Sequence, residues 1–172
     1  MSRILLADDS PQALRLAEQI LSSQGLEVVS VTDGDVVLRR LADVFPDILI
    51  IDVFLPSKNA FEVARFMRSE ADFRETPIIF AAAPADKFNE QDAKSAGADL
   101  ILRKPFEASA LLGGVQLLLE RNSTARSAAK VGASGLDRNS IRAAVTLALD
   151  SAMPAMIEEL TQRVLLALSS RR

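Results

Sequence analysis

The sequence predicts an α/β fold: a doubly wound parallel sheet of five strands with five helices, followed by a C-terminal helical extension. Short apolar runs rich in Ile, Leu and Val alternate with longer segments of helical spacing, the pattern of repeated βα units around a buried sheet. Hydrophobic residues make up 49% of the 172 positions but aromatics only 5%, so the core must be mainly aliphatic. Several of the apolar runs also end directly in Asp or lead into Lys, which places chemistry at one sheet edge.

The first run, residues 3–8, ends in Asp8, and Ser10 with Pro11 then supplies a cap and a first helical turn for a helix over 11–23. A strand over 27–31 and a helix over 35–44 follow. Residues 48–52 form an unbroken aliphatic run closed by Asp52, and the next helix covers 60–69. The fourth pair is a strand over 78–82 with a helix over 88–96, and the fifth a strand over 100–102 with a helix over 108–120. In parallel sheets the functional crevice lies beyond the carboxyl ends of the strands, so Asp8, Asp9, Asp52, Ala82 and Lys104 are expected to converge.

Composition excludes several chemistries. With no cysteine there is no disulfide framework and no thiolate metal site, and with no histidine the imidazole acid/base and zinc chemistries go as well. Any metal must be held by oxygen. The N-terminal residues show no leader pattern and no apolar run reaches membrane-spanning length, so a cytoplasmic protein with no membrane partner is expected. The net charge of −3 is uneven: residues 1–122 hold 13 Lys and Arg against 19 Asp and Glu, a surface that repels nucleic acid.

Three carboxylates at one edge repel one another unless a cation compensates. Mg²⁺ suits an all-oxygen site of Asp8, Asp9 and Asp52, since it prefers carboxylate, water and phosphate oxygens. Adjacent acids at a strand end are often no more than solvated loop residues. Lys104 tips the balance, because an ammonium at the end of the fifth strand can pair with both Asp52 and an anion bound there.

The segments Ile4-Leu5-Leu6-Ala7-Asp8-Asp9-Ser10, Pro46-Asp47-Ile48-Leu49-Ile50-Ile51-Asp52, Leu55-Pro56, Pro77-Ile78-Ile79, Gly97-Ala98-Asp99 and Lys104-Pro105-Phe106 together resemble the receiver domain of bacterial two-component response regulators. The likeness runs through about the first 120 residues. It implies a flavodoxin-like sheet of strand order 2-1-3-4-5. It also implies that Asp52 is the phosphoacceptor attacking a phosphohistidine of a sensor histidine kinase or phosphotransfer protein. Asp8, Asp9, Asp52 and the Phe54 backbone carbonyl would hold Mg²⁺, Lys104 would steady the phosphoryl oxygens, and the Lys104–Pro105 bond would be cis. No turnover of a separate substrate is implied, so the chain is expected to be a signalling protein and not an enzyme.

The pattern is broken at the two switch positions. Where the family carries a Ser or Thr hydroxyl this chain has Ala82, and where it carries an inward-swinging aromatic it has Ile101. Either phosphorylation persists and is read out by other movements, or the domain is a pseudo-receiver that serves as a phosphorylation-independent scaffold. Phe54 and Pro84 border the acceptor in the family and are apolar here, which predicts a long-lived phosphoryl group. Ala60 stands where a glycine is common, a change expected to alter only a loop conformation. A haloacid-dehalogenase-type phosphatase would need a second aspartate two residues after the nucleophile, where Phe54 stands.

Domain organisation follows from composition. Residues 1–122 form the receiver domain, the Ser, Ala and Gly of 123–135 suit a flexible linker, and 136–172 form a helical tail. Ile141, Val145, Leu149, Met153, Ile157, Leu160, Val164 and Leu168 make an apolar stripe on that tail, with Pro154 starting a second helix or kinking one. The tail holds only five basic residues against four acids, which argues against a DNA-binding effector. Its stripe would be covered by its own receiver, by a second copy in a homo-oligomer, or by a downstream protein partner.

Overall fold

The computed structural model describes the backbone of residues 2–133 and side chains through residue 124. Its elements run β1 (Arg3–Ala7), α1 (Pro11–Ser22), β2 (Glu27–Val31), α2 (Gly34–Val44), β3 (Ile48–Asp52), α3 (Ala60–Ser69), β4 (Ile78–Ala82), α4 (Glu90–Ala96), β5 (Leu100–Arg103) and α5 (Ala108–Ala133). All strand pairings are parallel and the order is β2-β1-β3-β4-β5, the flavodoxin-like order.

Strand alternation sorts the core into two layers. Leu5, Leu49, Ile51, Ile78, Phe80 and Ala82 face α2, α3 and α4 through Val37, Leu41, Val63, Met67 and Ala93. Ile4, Leu6, Ile48, Ile50, Ile79 and Ala81 face α1 and α5 through Leu14, Leu21, Leu111 and Val115. Every residue of β3 and β4 is buried, as central strands covered on both faces require. Leucines and isoleucines with no exposed surface contribute about 1.5–3 kcal/mol each by burial.

Helix starts are fixed by side chains. Ser10 accepts from the Ala13 amide ahead of Pro11, Asp33 caps α2, and Asn59 with Glu62 forms a reciprocal capping box on α3. Asn89 caps α4, which is why that helix begins at Glu90 and not at 88. Gly34 opens α2 because it lies against the β3–α3 loop: a Cβ there would sit 1.9 Å from the Lys58 carbonyl oxygen.

The largest departure from the sequence reading is α5, which continues past residue 120 to Ala133. Helical backbone therefore stands through residue 133 where a linker is expected. The stretch 123–133 is rich in alanine, the strongest helix former, so it needs no apolar face to be helical. Residues 134–172, which carry the last of that expected linker and the apolar tail, lie outside the described residues. Among the described residues no helix is long and apolar enough to cross a membrane.

Candidate functional site

Because the strands are parallel, their carboxyl ends share one edge. Asp8 follows β1, Asp52 closes β3, Ala82 closes β4 and Lys104 follows β5. Sheet order sets β4 between β3 and β5, so the Lys104 side chain reaches Asp52 across the end of β4.

Two of the three acids are each held by a backbone amide. Asp8 Oδ1 accepts from the Ser10 amide at 2.9 Å, while the Asp8 amide donates to the Val31 carbonyl at 3.1 Å. Asp52 Oδ1 accepts from the Phe54 amide at 2.7 Å. Asp8 and Asp52 are only 1% and 7% exposed, whereas Asp9 is exposed. Oxygens of all three lie within 4.8 Å of one another, close enough to share one cation.

Lys104 closes the arrangement. Its Nζ donates to Asp8 Oδ2 at 2.8 Å and to Asp52 Oδ2, and its amide donates to the Ala82 carbonyl at 2.8 Å. The Lys104–Pro105 bond is cis. Burial by itself would lower the ammonium's pKa, but hydrogen bonds and charge from Asp52 and Asp8 outweigh it and hold Lys104 above its ordinary value. The lysine therefore stays charged at neutral pH. One ammonium against three carboxylates leaves an excess of negative charge. The oxygen-only donor set and that excess fit a divalent cation.

The structure puts the two atypical positions on β4 and β5, with Phe54 and Pro84 in the loops beyond β3 and β4. Ala82 is fully buried and presents a methyl group at the end of β4. Ile101 is half-buried and packs against the core layer of α2, α3 and α4. Phe54 is 53% exposed and lies beside the acceptor, with its backbone amide on Asp52. Pro84 is exposed, at the rim of a cleft of about 420 Å³ that opens beside Lys104 and is lined by Leu16 and Phe106.

Several contacts around the site are missing from the sequence reading. Asp86 Oδ2 accepts from the Ala83 amide at 2.6 Å, and the Asp86 amide donates back to the Ala83 carbonyl at 3.0 Å. Pro84 and Ala85 form the turn between them, so the Pro-x-Asp spacing was the available signal. Arg103 pairs with Glu90 at 2.8 Å and lies 5.5 Å above the Phe88 ring. On the other flank, Ser57 donates to the Asp33 carboxylate and ties the β3–α3 loop to the start of α2. That bond and amides of α2 pull Asp33 below the usual carboxylate range, against a smaller effect of burial.

Comparisons with known proteins identify the family of this fold. The family model described as "Response regulator receiver domain" matches residues 4–116. Protein PilG of Pseudomonas aeruginosa is 28% identical over 114 residues, covering 66% of this chain and 84% of that protein. The transcriptional regulatory protein GltR of the same species is 35% identical over 118 residues, and there the chain spans 49% of the relative's length. Among solved structures, the chemotaxis response regulator CheY4 of Vibrio cholerae aligns with a TM-score of 0.64 at 29% identity, over 69% of this chain and 98% of that one. The receiver domain of a Pseudomonas aeruginosa sensor histidine kinase, solved with a magnesium ion coordinated in its active site cleft, aligns with the same score at 28% identity, over 69% and 98% of the two chains. Fold, strand-end acids, strand-end lysine and family match coincide, and the chain belongs to the response regulator receiver domain family.

Proposed function

We propose that this chain is a cytoplasmic phosphorelay component that takes a phosphoryl group on Asp52 from a sensor histidine kinase or phosphotransfer protein. It then signals by protein–protein contact and turns over no separate substrate. The observation that carries the reading is the Lys104 ammonium bonded to both Asp8 and Asp52, beside a third acid, at one sheet edge.

In the transfer, an Asp52 carboxylate oxygen attacks phosphorus as the phosphorus–nitrogen bond of the donor phosphohistidine breaks. The bonding pair returns to the imidazole, which is then free to take a proton from water. The Phe54 amide fixes Oδ1, which orients the carboxylate before attack. Forming the acyl phosphate removes the negative charge that Lys104 pairs with on Asp52 and puts charge on the phosphoryl oxygens nearby. Lys104 follows that charge while keeping its bond to Asp8. Bound by Asp8, Asp9, Asp52 and the Phe54 carbonyl, Mg²⁺ would supply neutralisation of the transferring phosphoryl oxygens.

Buried Ala82 favours a second reading, the phosphorylation-independent scaffold, since it offers no hydroxyl to a phosphoryl oxygen. Intact mass after incubation with acetyl phosphate and Mg²⁺ separates the two. An adduct on the natural chain that is lost in Asp52→Asn supports transfer, and a folded chain with no adduct supports the scaffold.

A further inference from the structure

The end of β4 lies directly under the path from Lys104 to Asp52, so a phosphoryl group joined to Asp52 and held by Lys104 sits above it. Little there can receive an anion. Ala82 offers a methyl group, and Pro84 has no N–H. The donor left at that point of the strand end is the Ala83 amide, and it is already bonded to the Asp86 carboxylate. Ala83 lies half-buried at the rim of the cleft that Lys104 also lines.

We propose that Asp86 is a built-in competitor of the phosphoryl group: its carboxylate takes the Ala83 amide in the resting chain and is expelled when Asp52 is phosphorylated. The inference rests on the phosphoacceptor reading and deepens it by naming what regulates that site. Two anions on one N–H donor share it at a loss to each, and a phosphoryl dianion repels a carboxylate that competes for the same donor. Lys104 holds the phosphoryl group in place, so the turn from Ala83 to Asp86 is the part that yields.

Expulsion has a route outward. The turn continues through Lys87 and Phe88 into Asn89, the cap of α4. Phe88 meets Phe61 edge-on at a ring separation of 6.2 Å and lies under Arg103, which pairs with Glu90 at the start of α4. Opening the Asp86 turn therefore loosens the α4 cap and the Phe88–Arg103 contact together. This readout needs neither a hydroxyl at position 82 nor an aromatic ring at 101. Asp86 is on this account a positioning residue, acting through the Ala83 amide.

The test uses beryllofluoride, a phosphoryl mimic, with excess Mg²⁺ on the full chain, followed by amide NMR. Asp86→Asn keeps an acceptor for the turn but removes the charge, and Asp86→Ala removes both. Both variants are expected to bind beryllofluoride more tightly than the natural chain, by roughly tenfold or more, in line with one displaced hydrogen bond to a charged group. The Ala83 amide resonance should move on adduct formation in the natural chain and be displaced already in free Asp86→Ala. A role confined to loop stability would move neither the affinity nor the Ala83 resonance of the adduct. Equal affinity in all three folded proteins, with the Ala83 resonance unmoved by the adduct, overturns the competitor role while leaving the phosphoacceptor reading intact. Absence of any adduct in all three removes both.

Discussion

Replacing Lys104 by methionine keeps the bulk of the side chain and removes the cation between Asp8 and Asp52. The three side chains are 14%, 2% and 10% exposed, so the change leaves buried carboxylates facing each other without a counter-charge. At an effective dielectric of about 20, the 2.8 Å contact to Asp8 corresponds to about 6 kcal/mol of attraction. Much of that is offset by the several kcal/mol that an ammonium costs to desolvate, leaving a net loss of about 2–4 kcal/mol. Denaturant unfolding at neutral pH without divalent cation should show this loss, and added Mg²⁺ should recover a large part of it. A second signature comes from pH. Lys104 titrates in the folded chain above its ordinary value of 10.5, so its stabilising contribution is complete below that pH and fades as pH rises through the folded value. The natural chain should show that alkaline loss and Lys104→Met should lack it. A variant as stable as the natural chain without Mg²⁺, with the same alkaline profile, would refute the coupling of Lys104 to the acid cluster.

Three further outcomes follow from the same geometry. Arg68 donates to the carbonyls of Arg74, Thr76 and Gly97 and to Asp99 at 2.6–2.8 Å, so Arg68→Ala should lower unfolding free energy by about 2–4 kcal/mol, with Arg68→Lys recovering little; a loss under 1 kcal/mol in denaturant melts would contradict it. Ala82→Ser restores a hydroxyl at the end of β4 and should tighten beryllofluoride binding by about tenfold, the lower end for a hydrogen bond to a charged group; an unchanged dissociation constant would mean that position 82 does not face the phosphoryl group. Phe54 is half exposed beside Asp52, and Phe54→Ala should shorten the lifetime of the phosphoryl adduct several-fold by admitting water, with stability changed by only about 0.5 kcal/mol; equal decay rates by time-resolved intact mass would remove Phe54 as a shield.

The fold was legible because its signals are local. Ile48 to Ile51 form an aliphatic run that only a strand buried on both faces needs, and β3 is buried throughout. Ser10-Pro11 marks the start of α1 within two residues of sequence. The convergence of Asp8, Asp52 and Lys104 was legible because a residue next to the end of a parallel strand has its location set by the strand alone. The contacts between these residues were less so. That Lys104 spans the end of β4 to reach two acids depends on sheet order and side-chain length together. Asp86 went unread, since nothing in Pro84-Ala85-Asp86 shows that its carboxylate meets an amide at the site edge. Phe45 ends α2 in the left-handed conformation that glycine usually supplies, with its ring 5.8 Å from Phe73, so a tertiary contact stands where a local signal is missing. The length of α5 escaped because alanine-rich sequence without an apolar stripe suits a linker and a helix equally.

In the proposed function Asp52, and no other carboxylate of the cluster, carries the phosphoryl group. Borohydride reduces an aspartyl phosphate to homoserine, so trapping after exposure to acetyl phosphate and Mg²⁺, then peptide mass spectrometry, reads the position of the adduct directly. Homoserine at position 52 alone is the predicted result. Homoserine at Asp8 or Asp9, or none at all in a folded chain, would contradict the account.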